Sequence, residues 1–552
     1  MTTSRQPKAR NLPLGLQTFE NLRKESFLYV DKTHFIPRLL KDGGRIFLSR
    51  PRRFGKSLFL STLKAYFEGQ KELFEGLYIG KHEAELAAVQ NRIAWAKYPV
   101  LHLDLNAMDY TSSEKLLSIL GAHLTLWEKE FGVAAEVSDT AGRFRFLLQN
   151  IYEITQQRVV ILIDEYDKPL LETLEPQNAE LNEQYRRLLK AFYGVLKTCD
   201  AYIYFVFVTG VTKFGKVSIF SDLNNLRDIS LEEDFSDICG VTEDELRANF
   251  LSEIDLLCEK KSLDRETVFY KLKKQYDGYC FAPDGQQMYN PFSLLNAFVK
   301  RNIGDYWFYS GTPTFLINYL KSEHFFIPDL DNDNVLLSVT AMENMRADSS
   351  QLVPILYQSG YLTIKEYDER KRLYRLGFPN DEVRYAFLEV LYPSYVNLEG
   401  NINSEIADFN DEIEEGRVDD FMRRLQAIIA AIPYSTLSKD NLKWREEYYQ
   451  GIVAVIFQML GRLVQTEVQC ATGRVDAILH TEQIIYIFEF KLWSKGTPRD
   501  ALELIKRQGY ADRFLSSHKQ IVLVGVSFDA RLRNLRAWET ESLATNERRT
   551  CN

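Results

Sequence analysis

Short apolar runs separated by helix-length segments characterise the first 235 or so residues of the chain. Four runs are typical of buried strands: Arg45–Ser49, Val100–Leu105, Val159–Ile163 and Tyr202–Val208. Segments with a helical period lie between or beside them, such as Ser57–Phe67 and Asn182–Lys197. Strands that alternate with helices predict a parallel sheet with helices on both faces. The predicted fold class of this region is therefore α/β.

The pattern changes twice further along the chain. Helical stretches with short aromatic-rich pieces predict a helical or winged-helix-like middle region, and a charged helical segment follows as a connector. The last part predicts an αβββαβ order: Trp444–Leu460, Val464–Cys470, Val475–His480, Ile484–Lys491, Arg499–Leu515 and Gln520–Val526. The predicted domains are residues 1–241, 242–400, 401–433 and 434–552.

Composition places the chain among ordinary globular proteins. Its 552 residues exceed what one compact core usually holds, and 45% hydrophobic with 26% charged residues argues against extensive disorder. The net charge is −9, yet Tyr434–Asn552 carries 17 lysines and arginines against 14 aspartates and glutamates. This asymmetry has the sign that a nucleic-acid-handling C-terminal domain needs.

The expected location is the cytoplasm. The N-terminus has no apolar signal segment, and no apolar run approaches the length that spans a membrane, so no membrane partner is expected. The six cysteines are scattered without a CxxC pair, which fits a reducing compartment and disfavours a zinc site.

The segment from Ser49 to Ser57 has the features of a phosphate-binding loop. It follows a strand, opens a helix and ends in Gly55-Lys56-Ser57, the end of a Walker A motif. Backbone N–H groups of Arg53, Phe54 and Gly55 can cradle phosphates, Lys56 can reach the β- and γ-phosphates, and the Ser57 hydroxyl can bind Mg²⁺. The motif departs from its usual form at its first glycine, where the chain has Arg50.

A second element completes this constellation. The apolar run Val159–Ile163 ends in Asp164 and Glu165, the pattern of a Walker B strand. Asp164 is expected to bind Mg²⁺ through water, and Glu165 to act as the general base. In AAA-like ATPases the neighbouring strand ends in a polar side chain that senses the γ-phosphate, and Thr209 and Thr212 are the candidates here. The predicted cofactors are ATP and Mg²⁺.

Two carboxylates and a lysine form a separate constellation near the C-terminus. Glu489 and Lys491 share one face of a strand because they are two residues apart, and an antiparallel neighbour can bring Asp476 beside them. Both faces of this strand are apolar, so its charges must be paired or bind a metal. Asp476 and Glu489 can hold Mg²⁺ for phosphodiester hydrolysis, with Glu446 or Glu447 as a third acid. A structural Glu–Lys pair is the alternative.

These motifs together resemble a predicted AAA-ATPase-like family that is widespread in bacteria. The resemblance rests on Leu14–Phe19, Tyr29–Thr33, Leu48–Ser57, Asp164–Asp167, Thr209–Phe214, Asn224–Leu226, Tyr289–Ser293, Gly473–Asp476, Ile487–Leu492 and Gly509–Tyr510. It covers most of the chain. It implies an ATPase joined to a C-terminal PD-(D/E)xK nuclease-like domain of restriction-endonuclease-like fold, and it implies that Arg50 is a family trait. Relatives commonly carry a glutamine that supports the nuclease site where this chain has Leu504.

Three functional hypotheses follow. In the first, ATP binding or hydrolysis switches a Mg²⁺-dependent nuclease that acts on nucleic acid, with DNA as the expected substrate, in defence or mobile-element biology. In the second, a non-cleaving, nucleotide-switched protein keeps the nuclease fold for binding nucleic acid or as a scaffold. In the third, the chain is a signalling ATPase that forms a homo-oligomer when ATP is added.

Overall fold

The computed structural model describes residues 11–41, 44–106, 109–134, 137–174, 176–213, 219, 226–308, 335–343, 352–387, 408–409, 411–430, 464–470, 473–481, 483–515, 517, 519–529, 531–532 and 534–543. The chain forms two compact units, one made of Met1–Leu316 with Val335–Val383 and one made of Ile317–Asn334 with Arg384–Asn552. Each unit has its own hydrophobic core.

A five-stranded parallel sheet forms the centre of the first unit. Its strands are Arg45–Ser49 (β1), Val100–Asp104 (β2), Val159–Asp164 (β3), Ile203–Gly210 (β4) and Arg227–Asp228 (β5). Their order is β2-β3-β4-β1-β5, and all neighbours are parallel. The predicted parallel sheet is confirmed, and because β4 lies between β1 and β3, the ends of these three strands meet at one edge.

Helices cover both faces of this sheet. They are Phe19–Lys24 (α1), Phe35–Lys41 (α2), Lys56–Phe67 (α3), Tyr78–Val89 (α4), Ser113–Phe131 (α5), Thr140–Thr155 (α6), Lys168–Leu171 (α7) and Ala179–Thr198 (α8). Alternating residues of β4 show the two layers. Val206 and Val208 join the core formed with α5, α6 and α8, whereas Phe205 and Phe207 contact the rings of Phe67 and Phe59 on α3.

The remaining described residues of the first unit include helices and small antiparallel sheets. The helices are Glu243–Asn249 (α9), Leu251–Lys261 (α10), Arg265–Tyr276 (α11), Pro291–Lys300 (α12), Val339–Glu343 (α13) and Leu352–Ser359 (α14). Val241–Thr242 (β6) pairs with Met288–Tyr289 (β7), and Val335–Ser338 (β8), Thr363–Asp368 (β9) and Leu373–Gly377 (β10) form a sheet of order β8-β10-β9. Helices followed by a small sheet agree with the predicted winged-helix-like region.

A mixed five-stranded sheet forms the second unit. Its strands are Val464–Cys470 (β11), Gly473–His480 (β12), Ile484–Leu492 (β13), Gln520–Asp529 (β14) and Asn534–Leu543 (β15), in chain order across the sheet. Only β13 and β14 pair in parallel. The central place of β13 explains why both its faces are apolar. The sequence pattern predicted one strand after the last helix, and the structure adds β15 as an edge strand.

Two helices of this unit cover opposite faces of its sheet. They are Val418–Ala430 (α15) and Pro498–Arg507 (α16). Ile485 and Ile487 of β13 join the core formed with α16, and Phe488 faces Phe421 of α15. The structure therefore places α15, predicted within a connector, in the second unit. The predicted helix 444–460 lies outside the described residues. None of the helices in the described ranges has the length and apolarity needed to cross a bilayer.

Candidate functional site

The loop between β1 and α3, residues 50–55 and hereafter the phosphate loop, presents backbone at the edge of the parallel sheet. Gly55 stands at the N-cap of α3 with a φ of +98°, and a Cβ built there would meet no atom within 4 Å. Ser57 is half-buried in the first turn of α3. An open glycine followed by the free N–H groups of a helix N-terminus suits an anionic ligand.

Arg50, which replaces the first glycine of the motif, anchors the phosphate loop to residues 230–236. Its side chain is buried, and its terminal nitrogens donate to the carbonyl oxygens of Ser49 (2.9 Å), Ser230 (2.8 Å), Phe235 (2.9 Å) and Ser236 (3.4 Å). Burial lowers the pKa of the guanidinium. Three of these four acceptors lie 180 or more positions away along the chain, so no local pattern could have predicted them.

Aromatic packing fixes the rest of the phosphate loop. The Phe54 ring is buried with a centroid 4.7 Å from that of Tyr279, and the Arg52 carbonyl accepts a hydrogen bond from Trp307 Nε1 at 2.9 Å. The buried Glu382 carboxylate accepts the backbone N–H of Trp307 at 2.7 Å, and burial raises the pKa of Glu382 to about 7. Tyr279 and Trp307, which belong to the middle region of the chain, therefore hold the phosphate loop in place.

Arg53, whose backbone was predicted to bind phosphate, differs from the buried residues that anchor the phosphate loop. Arg53 is exposed, adopts a φ of +69°, and places its guanidinium 4.5 Å above the Phe292 ring. Its backbone lies in the phosphate loop, as expected, whereas its side chain turns to α12.

Lys56 brings the phosphate loop and β3 together. Its ammonium group donates to the carbonyl oxygens of Arg50 (3.0 Å) and Pro51 (3.2 Å) and lies 3.6 Å from Glu165 Oε1. The lysine is 4% exposed, so this charge interacts in a mostly desolvated environment. The structure thus joins two residues that the sequence predicted separately for phosphate binding and for general-base chemistry.

Asp164 and Thr209 form the second contact of this edge. Thr209 Oγ1 donates to Asp164 Oδ1 at 2.6 Å, and both side chains are buried at the ends of adjacent strands. Glu165 follows with a φ of +53°, a conformation that costs a non-glycine residue energy and that persists where the surroundings impose it. The turn directs the Glu165 carboxylate toward Lys56.

Asp167 is a member of this site that the sequence reasoning did not select. Its carboxylate accepts the backbone N–H groups of Val211 (3.2 Å) and Thr212 (2.6 Å) and the hydroxyl of Thr212 (2.6 Å). Burial and the neighbouring Glu165 raise the pKa of Asp167 to about 6. The hydroxyl of Thr212 is thereby directed to Asp167, and Thr209 is the threonine that contacts Asp164. In the sequence, the second aspartate of the Asp164–Asp167 segment was the feature that could have indicated its role.

An apolar cavity of about 100 Å³ adjoins Gly55. Several separate chain segments line it, with side chains that include Leu28, Phe54, Leu58, Val241 and Leu295. At its wall the Lys32 ammonium is held by Glu245 (2.7 Å) and the Asp237 carbonyl (2.7 Å). A flat aromatic group attached to a phosphate chain fits this combination of an apolar wall beside a phosphate loop.

The carboxylate–lysine constellation lies at the end of β13 in the second unit. Lys491 Nζ is 2.9 Å from Glu489 Oε1, and the two side chains are 27% and 6% exposed. Asp476 of the antiparallel strand β12 accepts the backbone N–H of Phe490 through Oδ2 at 2.7 Å. The expected approach of Asp476 to the Glu-x-Lys strand is thus present.

The surroundings of this pair are tightly packed. Glu489 is paired in register with Gly525 of β14, where a Cβ would come within 2.1 Å of the Pro498 carbonyl oxygen. The N-terminus of α16, closed by a Thr497–Asp500 capping box, therefore lies against the sheet beside Glu489. Leu504 is half-buried on the same helix.

Two carboxylates alone do not complete a metal site. Within the described part of the chain no group of three or more histidine, cysteine, aspartate or glutamate side chains has an arrangement that could hold a metal ion. The predicted third acid, Glu446 or Glu447, lies outside the described residues. Asp476 and Glu489 offer the oxygen ligands that Mg²⁺ prefers, and the donor set fits that ion if a further acid or water joins them.

Comparison with known proteins matches two regions of the chain to protein families. Residues 13–220 match the family of predicted AAA-ATPases, and residues 444–538 match the PD-(D/E)XK nuclease superfamily. A protein of Azotobacter chroococcum mcd 1, described as an uncharacterized protein in the vnfD 5'region, is 34% identical over 541 residues, which cover 97% of this chain and 99% of that protein. Residues 13–220 include Gly55, Lys56, Ser57, Asp164, Glu165, Asp167, Thr209 and Thr212, and residues 444–538 include Asp476, Glu489 and Lys491. The contacts of the phosphate loop and the cavity segments beyond position 220 lie outside both regions.

Proposed function

Because the chain belongs to the family of predicted AAA-ATPases and carries a region of the PD-(D/E)XK nuclease superfamily, we propose that it binds and hydrolyses ATP at the first site and cleaves phosphodiester bonds of nucleic acid, with DNA as the expected substrate, at the second. Mg²⁺ is the proposed metal at both. The proposed setting is cytoplasmic defence against, or maintenance of, mobile DNA.

The observation that carries the ATPase proposal is the meeting of Lys56, Glu165 and the Asp164–Thr209 pair at one edge of the parallel sheet. Gly55 and the first N–H groups of α3 bind the phosphates, and Lys56 has the charge and reach to bind their oxygens. Glu165 can orient water and accept its proton.

Two side chains at this edge of the sheet offer oxygen ligands for a metal ion. The Ser57 hydroxyl and the Asp164 carboxylate would hold Mg²⁺, which when bound neutralises phosphate charge. Thr209 keeps Asp164 in place through its hydrogen bond at 2.6 Å. The apolar cavity beside Gly55 supports a nucleobase subsite, in which apolar side chains exclude water from the base.

Two variants separate binding from hydrolysis. Lys56→Ala is expected to lower ATP affinity at least tenfold, measured by titration with a fluorescent ATP analogue. Glu165→Gln is expected to keep ATP binding and to slow phosphate release about 10²- to 10⁴-fold. Steady hydrolysis that survived both changes would remove the ATPase proposal.

The nuclease proposal rests on Asp476, Glu489 and Lys491. The two carboxylates would bind Mg²⁺, which when bound lowers the pKa of a water ligand and stabilises developing negative charge. Lys491 can donate to the phosphate or to the nucleophile, and Glu489 orients it at 2.9 Å. Purified protein with Mg²⁺ or Mn²⁺ is expected to cleave an oligonucleotide in at least one of two conditions, ATP present or ATP absent, and Asp476→Ala is expected to abolish that cleavage. Oligonucleotides left intact in both conditions would refute the nuclease proposal.

The second candidate function is nucleic-acid binding without cleavage. It is favoured by Leu504, half-buried on α16 where relatives with a supported nuclease site commonly carry glutamine. This hypothesis predicts salt-sensitive binding that Asp476→Ala leaves unchanged, and intact oligonucleotides under every metal condition. Introducing the glutamine in a Leu504→Gln variant is expected to raise cleavage if the site lacks only this group.

A further inference from the structure

An exposed tryptophan follows directly after the strand that carries the candidate nuclease residues. Trp493 lies two positions beyond Lys491, and its backbone N–H donates to the Phe528 carbonyl at 2.7 Å, which continues the pairing of β13 with β14. It is 39% exposed. Among the described residues of the second unit, the large hydrophobic side chains that are exposed are Trp493, Leu515 and Leu532, and Trp493 is the aromatic one.

A fixed arginine supports the indole ring. The Arg536 guanidinium carbon lies 3.9 Å from the centroid of the Trp493 ring. Arg536 is itself held by Asp529, whose Oδ2 accepts from Nη1 at 2.6 Å, and Asp529 Oδ1 accepts the backbone N–H groups of Arg531 (2.8 Å) and Leu532 (3.3 Å). The cation–π contact with Arg536, which Asp529 holds in place, therefore fixes the indole ring. A ring that is already fixed loses less conformational entropy when a ligand stacks on it.

The spacing relates this ring to the Glu489–Lys491 pair. Two residues along a strand correspond to about 6.5 Å, a length comparable to one nucleotide of an extended single strand. A phosphate held at Lys491 therefore places a neighbouring nucleobase within reach of Trp493. Lys495 is exposed in the same turn and adds positive charge for the backbone of the strand.

We propose that Trp493, supported by Arg536, is a stacking platform for an unpaired nucleobase next to the phosphate held at Lys491. An indole presents a π-face and one N–H donor, so it binds the face of a base rather than the edge pattern of a groove. In a paired duplex both faces of an internal base are covered by its neighbours. The substrate class is therefore single-stranded nucleic acid, or a duplex with an unpaired nucleotide at the cleavage position.

Binding is measured separately from cleavage. Only the position of the platform beside a cleaved phosphate rests on the proposed nuclease function. Full-length protein is titrated with a fluorescent single-stranded oligo(dT) and with a matched duplex in EDTA, where no metal-dependent cleavage takes place. Trp493→Ala is expected to weaken single-strand binding about 5- to 150-fold, the range measured for loss of one stacked base. Duplex binding is expected to change less than twofold, and Trp493→Phe is expected to retain most of the single-strand affinity.

Trp538 provides a matched control on the neighbouring strand. Its indole N–H donates to Asp419 at 2.8 Å, and it has no proposed role. Oligo(dT) is expected to quench part of the tryptophan fluorescence of the wild type and of Trp538→Phe, and this quenching is expected to disappear in Trp493→Phe. Thermal denaturation of each variant checks that it is folded at the temperature of the titration.

The possible results separate the platform from the nuclease. Single-strand binding that depends on Trp493 in a protein that cleaves nothing would support the platform and refute the nuclease proposal. Equal losses for single strand and duplex, no loss in Trp493→Ala, or no binding of either oligonucleotide by the wild type would overturn the platform. Cleavage of the single strand that Trp493→Ala performs at the wild-type rate, at a concentration below the Kd, would do so as well, while leaving the nuclease proposal in place.

Discussion

Replacing Arg50 tests whether the buried anchor of the phosphate loop matters for nucleotide binding. In Arg50→Met the side chain keeps much of its length and loses every hydrogen-bond donor. The carbonyl oxygens of Ser230 and Phe235, which Arg50 contacts at 2.8 and 2.9 Å, then lose their charged partner inside the protein. The carbonyl of Arg50 itself, which accepts from Lys56, is no longer held in place by the side chain of the same residue.

The size of the effect follows from these contacts. Arg50 makes three hydrogen bonds of 2.9 Å or less. Each buried acceptor that loses its partner costs about 1–3 kcal/mol, and removal of the desolvated charge returns part of that cost. We therefore expect the free energy of unfolding of the first unit to fall by about 3 kcal/mol. ATP affinity is expected to fall at least tenfold, because the loop carbonyls that position Lys56 lose their support.

Arg45 at the opposite end of β1 gives a matched control. It donates to the carbonyl oxygens of Ile203 (3.1 Å) and Tyr204 (3.2 Å) and pairs with the exposed Asp200. Arg45→Met is expected to cost about 1 kcal/mol and to leave ATP affinity unchanged. Urea unfolding gives the stability, and titration with a fluorescent ATP analogue below the unfolding transition gives the affinity. If Arg50→Met lost stability but bound ATP like Arg45→Met, Arg50 would be a structural residue only.

Three further predictions address the two sites and their support. In the absence of ATP, Lys56→Ala and Glu165→Gln are expected to leave cleavage of a short single strand unchanged, as a gel assay would show. Asp476→Ala is expected to leave ATP hydrolysis unchanged, as a phosphate-release assay would show. Lys491→Ala is expected to abolish cleavage and to reduce the salt dependence of oligonucleotide binding by about one counterion, measured as the slope of log Kd against log salt. The raised pKa of Glu382, about 7 against 4.5 for a free glutamate, means that the folded protein keeps a proton that the unfolded chain releases between these values. The free energy of unfolding should therefore fall as the pH rises through this window, by on the order of 2 kcal/mol. Glu382→Gln should remove this fall, which urea titrations from about pH 5 to 8 would measure. Equal pH profiles for wild type and variant would refute this.

The sequence predicted the strands and the residues at their ends well, for a physical reason. Apolar runs such as Val159–Ile163 can form only buried strands in an α/β chain, and the residues that follow them must lie at one edge of a parallel sheet. Asp164 and Thr209 met there as a result. The place of Asp476 followed in the same way, since two strands joined by a short turn are antiparallel neighbours.

Features that depend on distant partners could not be predicted. Arg50 looked like a defect in a glycine-rich motif, because its four acceptors belong to its own strand and to a segment about 180 residues away. The edge strand β15 was missed because charged and polar residues such as Arg536, Glu539 and Glu541 interrupt its apolar alternation. The sequence reasoning selected Glu165 and not Asp167, although Asp167 is buried and its carboxylate accepts three hydrogen bonds at the site.

The Glu489–Lys491 pair by itself does not distinguish a nuclease from a structural ion pair. A central strand that carries two charges needs them paired, and a distance of 2.9 Å satisfies that need in either case. Asp476 makes the difference. A structural pair is complete with two residues, whereas a second carboxylate, bonded to the backbone of Phe490 beside Glu489, gives these three side chains a net charge of −1. A partly buried group with that charge suits a divalent cation, so Asp476→Asn is the change that leaves a Glu–Lys ion pair intact and is expected to abolish the proposed metal binding.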